Sequence, residues 1–303
     1  MDRLKEMQTF TAVVDAGSFV KAAEELGMSK AAVSRYVADL ETRLGVRLLH
    51  RTTRKLSLTE EGSVFNIRCR ELLSGVEEAE AEVTSRAGAA QGLLRVNVPV
   101  TFGIQHLASL WGKFHTQHPQ VRLDVTLSDR IVDVVEEGYD LAIRIAELPS
   151  SSLISKRLAK TRIVLCASPE YLASHGTPSH PAELNDHATI AYSYWSTKDA
   201  WLFEGPEGPV NITIKPWVQT NNGDTCRAIA LANQGIILHP TFLIGDDLAA
   251  GRLVEILPEY RSIELGIYAI YPTRKHIAPK VRALVNFLAD QFSVLNDSEW
   301  IMS

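Results

Sequence analysis

Lys30, Ala31, Ser34, Arg35 and Ala38 recur at the three- and four-residue steps that bring side chains onto one face of a helix. Small residues let such a face approach its target closely, hydroxyl and guanidinium groups donate hydrogen bonds, and an arginine fork matches the two acceptors of guanine in a major groove. Farther on, Arg51, Thr52, Thr53, Arg54 and Lys55 gather donors and positive charge suited to phosphate. The chemistry on offer is recognition of double-stranded DNA, with Ser34 and Arg35 at base edges or phosphates and the second group on the backbone or minor groove. Between positions 28 and 58, Lys30, Arg35, Arg43, Arg47, Arg51, Arg54 and Lys55 face only Asp39 and Glu41, in a chain of net charge −5. A basic segment on an acidic body is the footprint of a local DNA-contacting module, with a solvated basic face as the plain alternative.

A second group of polar residues stands where strands are expected to end and helices to begin: Thr101 and Phe102 in the stretch 99–103, Ser128, and Thr220, Asn221 and Asn222. Ligands of open α/β sheets sit beyond the carboxyl ends of strands, against the amide donors of helix N-termini. Arg144 adds a cation suited to a carboxylate, so a small, anionic effector is the expected ligand. Helix capping is the competing account of Thr101 and Asn222, and an ion pair with Asp129 that of Arg144. Enzymatic frames are missing: the chain has no GxSxG, P-loop, GxGxxG or HExxH pattern. His115 and His118 have helical spacing for a metal, yet two histidines at a helix C-terminus more simply favour its dipole, so neither metal nor cofactor is expected. Asn211-Ile212-Thr213 matches a glycosylation sequon by chance, and Cys69, Cys166 and Cys226 show no paired or metal-ligand spacing, so they read as packing residues.

These groups must be positioned by folded elements. Leu4, Met7, Phe10 and Val14 mark a first amphipathic helix. Ser18 suits the cap of a second, carrying Ala22, Ala23 and Leu26 inward to a stop at Gly27. Ser29 suits the cap of a third, in which Val33, Val37, Leu40 and Leu44 form the buried stripe and Gly45 the stop. The spacing predicts a helix-turn-helix followed by a short hairpin, or wing, over 46–58. Thr59 then opens a helix in which Phe65, Cys69, Leu72, Val76, Ala79 and Val83 follow a heptad-like repeat, predicting a coiled-coil dimer, or else packing on the chain's own sensor domain. A hinge of small residues spans 85–92. Beyond it, strands are predicted over 93–98, 121–127, 141–145, 163–167, 189–192, 210–215, 235–239 and 264–271. Helices are predicted over 104–115, 131–137, 169–174, 224–233, 242–249 and 279–292. This alternation argues a parallel sheet with right-handed crossovers.

The run AGSFVKAAEELGMSKAAVSRYVADLETRLGVRLLHRTTRKLSLTEEG resembles the N-terminal signature of LysR-type transcriptional regulators over about the first 60 residues. The resemblance implies that Ser29, Ala32, Ser34 and Arg35 lie on or at the start of the recognition helix and that Arg51 and Arg54 belong to the wing. Where the family often has Gln-Pro after the capping serine, this chain has Lys30-Ala31, which leaves the fold and alters the operator read. The expected fold class is α/β multidomain: a winged helix-turn-helix at 1–58, a linker and dimerisation helix at 59–87, and a two-lobed effector domain at 88–303 similar to periplasmic binding proteins. Lobe I takes about 92–160 and 265–303, lobe II about 161–264. The implied partners are operator or promoter DNA, a small-molecule effector, RNA polymerase and further copies of the chain, as a homodimer assembling to a tetramer. A solute-binding protein or a cytoplasmic enzyme on the same lobes is the alternative, opposed by the basic N-terminal module. No stretch approaches the roughly 18 uninterrupted apolar residues of a membrane span, and MDRLKEMQTF lacks the apolar run of a secretory signal, so a cytoplasmic protein is expected.

Overall fold

The computed structural model describes residues 2–51, 56–83, 90–147, 154–195, 200–272 and 277–295. The chain divides into two compact units, Met1–Ala89 with Val135–Gly138, and Ala90–Val134 with Tyr139–Ser303. The first contains α1 (Arg3–Ala16), α2 (Phe19–Glu25), α3 (Lys30–Leu44), the antiparallel hairpin β1 (Leu49–Arg51) and β2 (Leu56–Leu58), and the long helix α4 (Glu60–Val83). The three starts and two of the stops of the trihelical core have local causes. Asp2, Ser18 and Ser29 accept backbone N–H bonds from the first turns of α1, α2 and α3, and Gly17 and Gly45 end α1 and α3 in the left-handed region. Phe10, Val13, Ala22, Ala23, Val33, Val37, Leu40, Leu48 and Leu49 then close the core.

In the second unit β3 (Gly92–Val98) leads through α5 (Val100–Phe102) and a π-turn, Gly103–Leu107, into α6 (Ala108–Gln117), followed by β4 (Val121–Leu127), β5 (Leu141–Ala146) and the fourteen-residue β6 (Ile154–Ala167). Next come α7 (Pro169–His175), β7 (Thr189–Tyr192), the hairpin β8 (Ala200–Gly205) and β9 (Gly208–Thr213), then β10 (Val218–Thr220) and α8 (Gly223–Leu231). The chain closes with β11 (Ile236–Pro240), α9 (Thr241–Ala249), β12 (Val254–Glu255), β13 (Glu264–Tyr271) and α10 (Pro279–Leu295). The strands run β10-β7-β11-β6-β13-β5-β3-β4, with β12 also on β6. One lobe is built on β3, β4, β5, β13 and the first part of β6, the other on β7, β10, β11, β12 and the last part of β6. The expected all-parallel sheet is in fact mixed, because β13 returns antiparallel to both β5 and β6.

The apolar run Ile163-Val164-Leu165-Cys166-Ala167 shows how pattern becomes packing. Ile163, Leu165 and Ala167 join one buried cluster with Leu238 and Trp201, whereas Val164 and Cys166 join another with Ile237, Cys226 and Ile244. A strand covered on both faces needs no polar alternation. The helix expected over 131–137 is a turn instead. Val132 and Val134 are both buried, a period of two rather than 3.6, and the Arg144 guanidinium holds the Val132 carbonyl at 3.1 Å.

Candidate nucleic-acid interface and interlobe cleft

The free face of α3 carries the residues singled out for DNA. Ser29, Lys30 and Arg35 are exposed, Ala32 and Ser34 half-buried. The Ser29 hydroxyl accepts from Ala32 N at 3.2 Å, so it caps the helix and keeps its own proton for donation. Neither Lys30 nor Arg35 makes an ion pair among the described residues, which leaves both cations for an external anion. Thr52 and Arg54 lie outside the described residues, as does the side chain of Arg51, whose backbone pairs with Leu56 in the wing.

Two of the basic residues counted in the sequence are structural. Arg43 donates through Nε and Nη2 to the buried Glu6, at 2.9 and 2.6 Å. Glu41, also buried, accepts from the N–H groups of Leu48 and Leu49 at 2.9 and 3.2 Å and from Arg47 at 3.0 Å. Glu6 thereby ties α1 to the end of α3 and Glu41 ties α3 to the strand entering the wing, and both reduce the cationic charge available to DNA below what the count suggests. Nothing in the sequence marked Glu6 or Glu41 as buried.

The proposed seam on α4 divides. Cys69 is fully buried and Phe65 half-buried in the core of their own module, Phe65 meeting Phe10 with ring centroids 5.9 Å apart. These two belong to the module's own packing rather than to a coiled coil, because the first turns of α4 lie against α1. Burial pushes the Cys69 thiol up to about 12, against the pull of Arg43 and Arg70, which suits a packing residue. One turn on, Leu72 is 54% exposed and Val76 half-buried. The side chains of Ala79 and Val83 lie outside the described residues.

Between the lobes, Thr101 donates to Asp224 Oδ2 at 2.5 Å, joining α5 to the first turn of α8. Asp129 accepts from Val100 N at 2.9 Å, and Ser128 accepts from Arg130 N at 3.2 Å. Burial raises the pKa of Asp129, the Val100 amide lowers it, and the charge of Asp224 raises it again. Thr220 accepts from Asn222 N at 3.3 Å, Asn221 donates to the Tyr194 hydroxyl at 3.4 Å, and Asn222 caps α8 by accepting from Thr225 N and Oγ1, both at 2.9 Å. Two expected members stand apart. Phe102 is fully buried, stacked on Phe292 and edge-on to Phe242, and presents no side-chain surface to a ligand. Arg144 donates to Asn97 Oδ1 at 3.0 Å and to the Val132 carbonyl, so its guanidinium secures lobe I rather than offering a free cation.

Two residues were missed. His239, at the end of β11, is 2% exposed, and its Nε2 has no hydrogen-bond partner among the described residues. Its ring lies under the start of α8, Cε1 3.6 Å from where a Cβ on Gly223 would stand, and 5.9 Å from the ring of Tyr192. Burial alone pushes it down to about 4, so the imidazole is neutral at physiological pH. Burial, then the charge of Asp129, raises the Tyr192 hydroxyl. A histidine after an apolar run reads as core, which is why neither stood out.

Residues 4–63 match the family described as "Bacterial regulatory helix-turn-helix protein, lysR family", and residues 87–293 match "LysR substrate binding domain". The HTH-type transcriptional regulator CrgA of Neisseria meningitidis serogroup C is 36% identical over 288 residues, covering 95% of this chain and 96% of CrgA. The regulator DmlR of Escherichia coli K12 is 35% identical over 294 residues, covering 96% of this chain and 94% of its own. The solved CrgA structure aligns with a TM-score of 0.61 at 34% identity, covering 95% of this chain and 98% of that one. The full-length Vibrio cholerae virulence activator AphB aligns with a TM-score of 0.61 at 27% identity, covering 95% and 99%. The relatives are named as regulators, repressors or activators, and none as an enzyme.

Proposed function

This chain belongs to the LysR family of DNA-binding transcriptional regulators, and on that premise we propose that it reads its operator with Ser34 and Arg35 of α3 while Arg51, Thr52 and Arg54 of the wing hold the backbone. The observation that carries this reading is the pair of cations Lys30 and Arg35, neither in an ion pair among the described residues, on the exposed face of a capped helix beside a two-stranded hairpin. A small molecule between the lobes, near Thr101, Ser128 and Asn221, regulates that binding. A ligand shifts the arrangement of the DNA-reading modules only by its differential affinity for each arrangement, typically worth about 1 to 3 kcal/mol. The protein acts in the cytoplasm, where RNA polymerase meets the same promoter; among the described residues no helix is long and apolar enough to cross a membrane.

The test is a salt-dependent binding titration on DNA from upstream of the chain's own gene. Arg35→Ala is expected to lose about 1–3 kcal/mol of discrimination between operator and scrambled DNA while binding to scrambled DNA is little changed. Arg51→Ala is expected to weaken both and lower the salt slope by about one. If Arg35→Ala leaves the operator preference intact, α3 is not the reading helix.

The functional unit is a homodimer paired through α4, two of which assemble to a tetramer. Exposed Leu72, one turn beyond the residues committed to the module's own core, supports this reading. Val76→Asp and Leu72→Asp place an unpartnered charge in the seam, which costs several kcal/mol once buried. Light scattering should show both variants dissociating to smaller species, and an unaltered oligomer for both would rule out α4 as the interface.

A further inference from the structure

The cleft has the wrong charge for an acid. Arg144, the cation expected there, is held by Asn97 and the Val132 carbonyl, and the guanidinium of Arg227, on α8, is paired with the buried Asp247. Each lobe brings one carboxylate here. Asp129 of lobe I and Asp224 of lobe II each have one hydrogen-bonding partner among the described residues, Val100 N and the Thr101 hydroxyl. The two carboxylates are held by consecutive residues, Val100 and Thr101, and the charge of Asp129 also reaches the Tyr192 hydroxyl. His239, 2% exposed, has a ring nitrogen, Nε2, with no hydrogen-bond partner among the described residues, and its Cε1 stands 3.6 Å from where a Cβ would lie on Gly223, the residue before Asp224. A buried polar atom left unmatched costs free energy unless something hydrogen-bonds it.

We infer that the effector is a cationic, nitrogen-containing small molecule, an amine or a guanidine, whose positive head lies between Asp129 and Asp224 while a polar atom reaches His239 at the floor of the cleft. The inference rests on the cleft being the effector site and reverses the anionic class expected from the sequence. Two carboxylates brought together from different lobes repel one another, and a cation between them removes that repulsion and adds charge-assisted hydrogen bonds. An anion in the same place meets two like charges, while the guanidinium groups of Arg144 and Arg227 already hold other acceptors. The rings of Tyr192 and Tyr194, whose centroids are 5.8 Å apart, offer faces to the organic part of an amine.

The test is calorimetry on the full-length protein at neutral pH, with putrescine, agmatine and tyramine as cations and succinate and benzoate as anions. Each is also added to a footprint on the upstream DNA. At least one amine is expected to bind and alter the footprint, and Asp129→Asn and Asp224→Asn are each expected to weaken it about ten- to a hundred-fold. Asparagine keeps the acceptor that Val100 N or Thr101 uses, so the fold is retained, which an unmoved unfolding transition checks. His239→Phe, removing the unmatched nitrogen at similar bulk, is expected to weaken the same amine. If only an anion binds, and either Asp→Asn variant tightens it, the cationic class is wrong while the cleft stands as the site. If a compound alters the footprint yet binds equally to wild type, Thr101→Val, Asp129→Asn and Asp224→Asn, the cleft reading itself fails. If none of the five binds, the cationic assignment falls as well.

Discussion

Gly62→Ala is expected to unfold the DNA-binding module at temperatures the wild type tolerates, with a loss of about 3 kcal/mol or more, at the upper end of overpacking substitutions. A Cβ at this position would stand 1.9 Å from the carbonyl oxygen of Leu48 and 2.8 Å from its carbon. The obstacle is backbone, and it is fixed on every side. The Leu48 carbonyl accepts from Thr59 N at 3.0 Å, Leu48 N is held by Glu41, and the Thr59 hydroxyl both donates to the Arg47 carbonyl and accepts from Gly62 N, each at 2.8 Å. Relief requires moving the start of α4 or the strand into the wing, and either movement surrenders several of these bonds. Calorimetric scanning should show an early transition, and operator binding should vanish with it. A variant that melts with the wild type would mean that the close approach relaxes at little cost.

Asp247→Ala is expected to cost the effector domain about 3 kcal/mol, toward the lower bound for breaking a buried ion pair because both arginines are partly exposed. The carboxylate is wholly buried on α9 and receives Arg227 Nη2 at 3.0 Å and Arg252 Nε at 2.8 Å, besides a short bond from Arg227 Nε. Burial pushes its pKa up, but the hydrogen bonds and charges of the two guanidinium groups outweigh this and hold it below the ordinary aspartate value. A carboxyl whose folded pKa is depressed contributes stability above its unfolded pKa, about 3.9, and loses it as pH falls through the folded value. Urea titrations from pH 6 down to pH 2 should therefore show a steeper loss below about pH 4 in the wild type than in Asp247→Asn. Parallel curves would remove Asp247 from the acid response.

What could be read from residues alone followed the strength of the local signal. Helix α3 was legible because Val33, Val37, Leu40 and Leu44 keep one face and because Ser29 and Gly45 carry their own end signals. The first part of β6, residues 154–162, was not, since its neighbours are strands distant in sequence and its polar residues alternate weakly. The hairpin β8–β9 was half seen: its turn contains Gly205, Pro206 and Gly208, with Gly208 at φ +110°, and only the second strand was assigned. The heptad on α4 misassigned two of its members, because Phe65 and Cys69 satisfy the spacing of a coiled coil while packing into their own module. Periodicity reports which face is apolar and is silent on what covers it. In the cleft the residue types were legible and their commitments were not. Arg144 reads as a free cation until Asn97 and Val132 are placed beside it.

The chain enters lobe II along β6 and leaves it along β13, and the two strands are paired where they cross, Arg162 opposite Glu264 and Thr161 opposite Leu265. Under tension that arrangement is a bypass. A force applied between the first strand of the effector domain and its last helix is carried across the β6–β13 ladder, and the hundred or so residues looped out beyond it bear none of the load until that ladder shears. Pulled from its ends, the effector domain should give way first in lobe I, and only then release the length stored in lobe II.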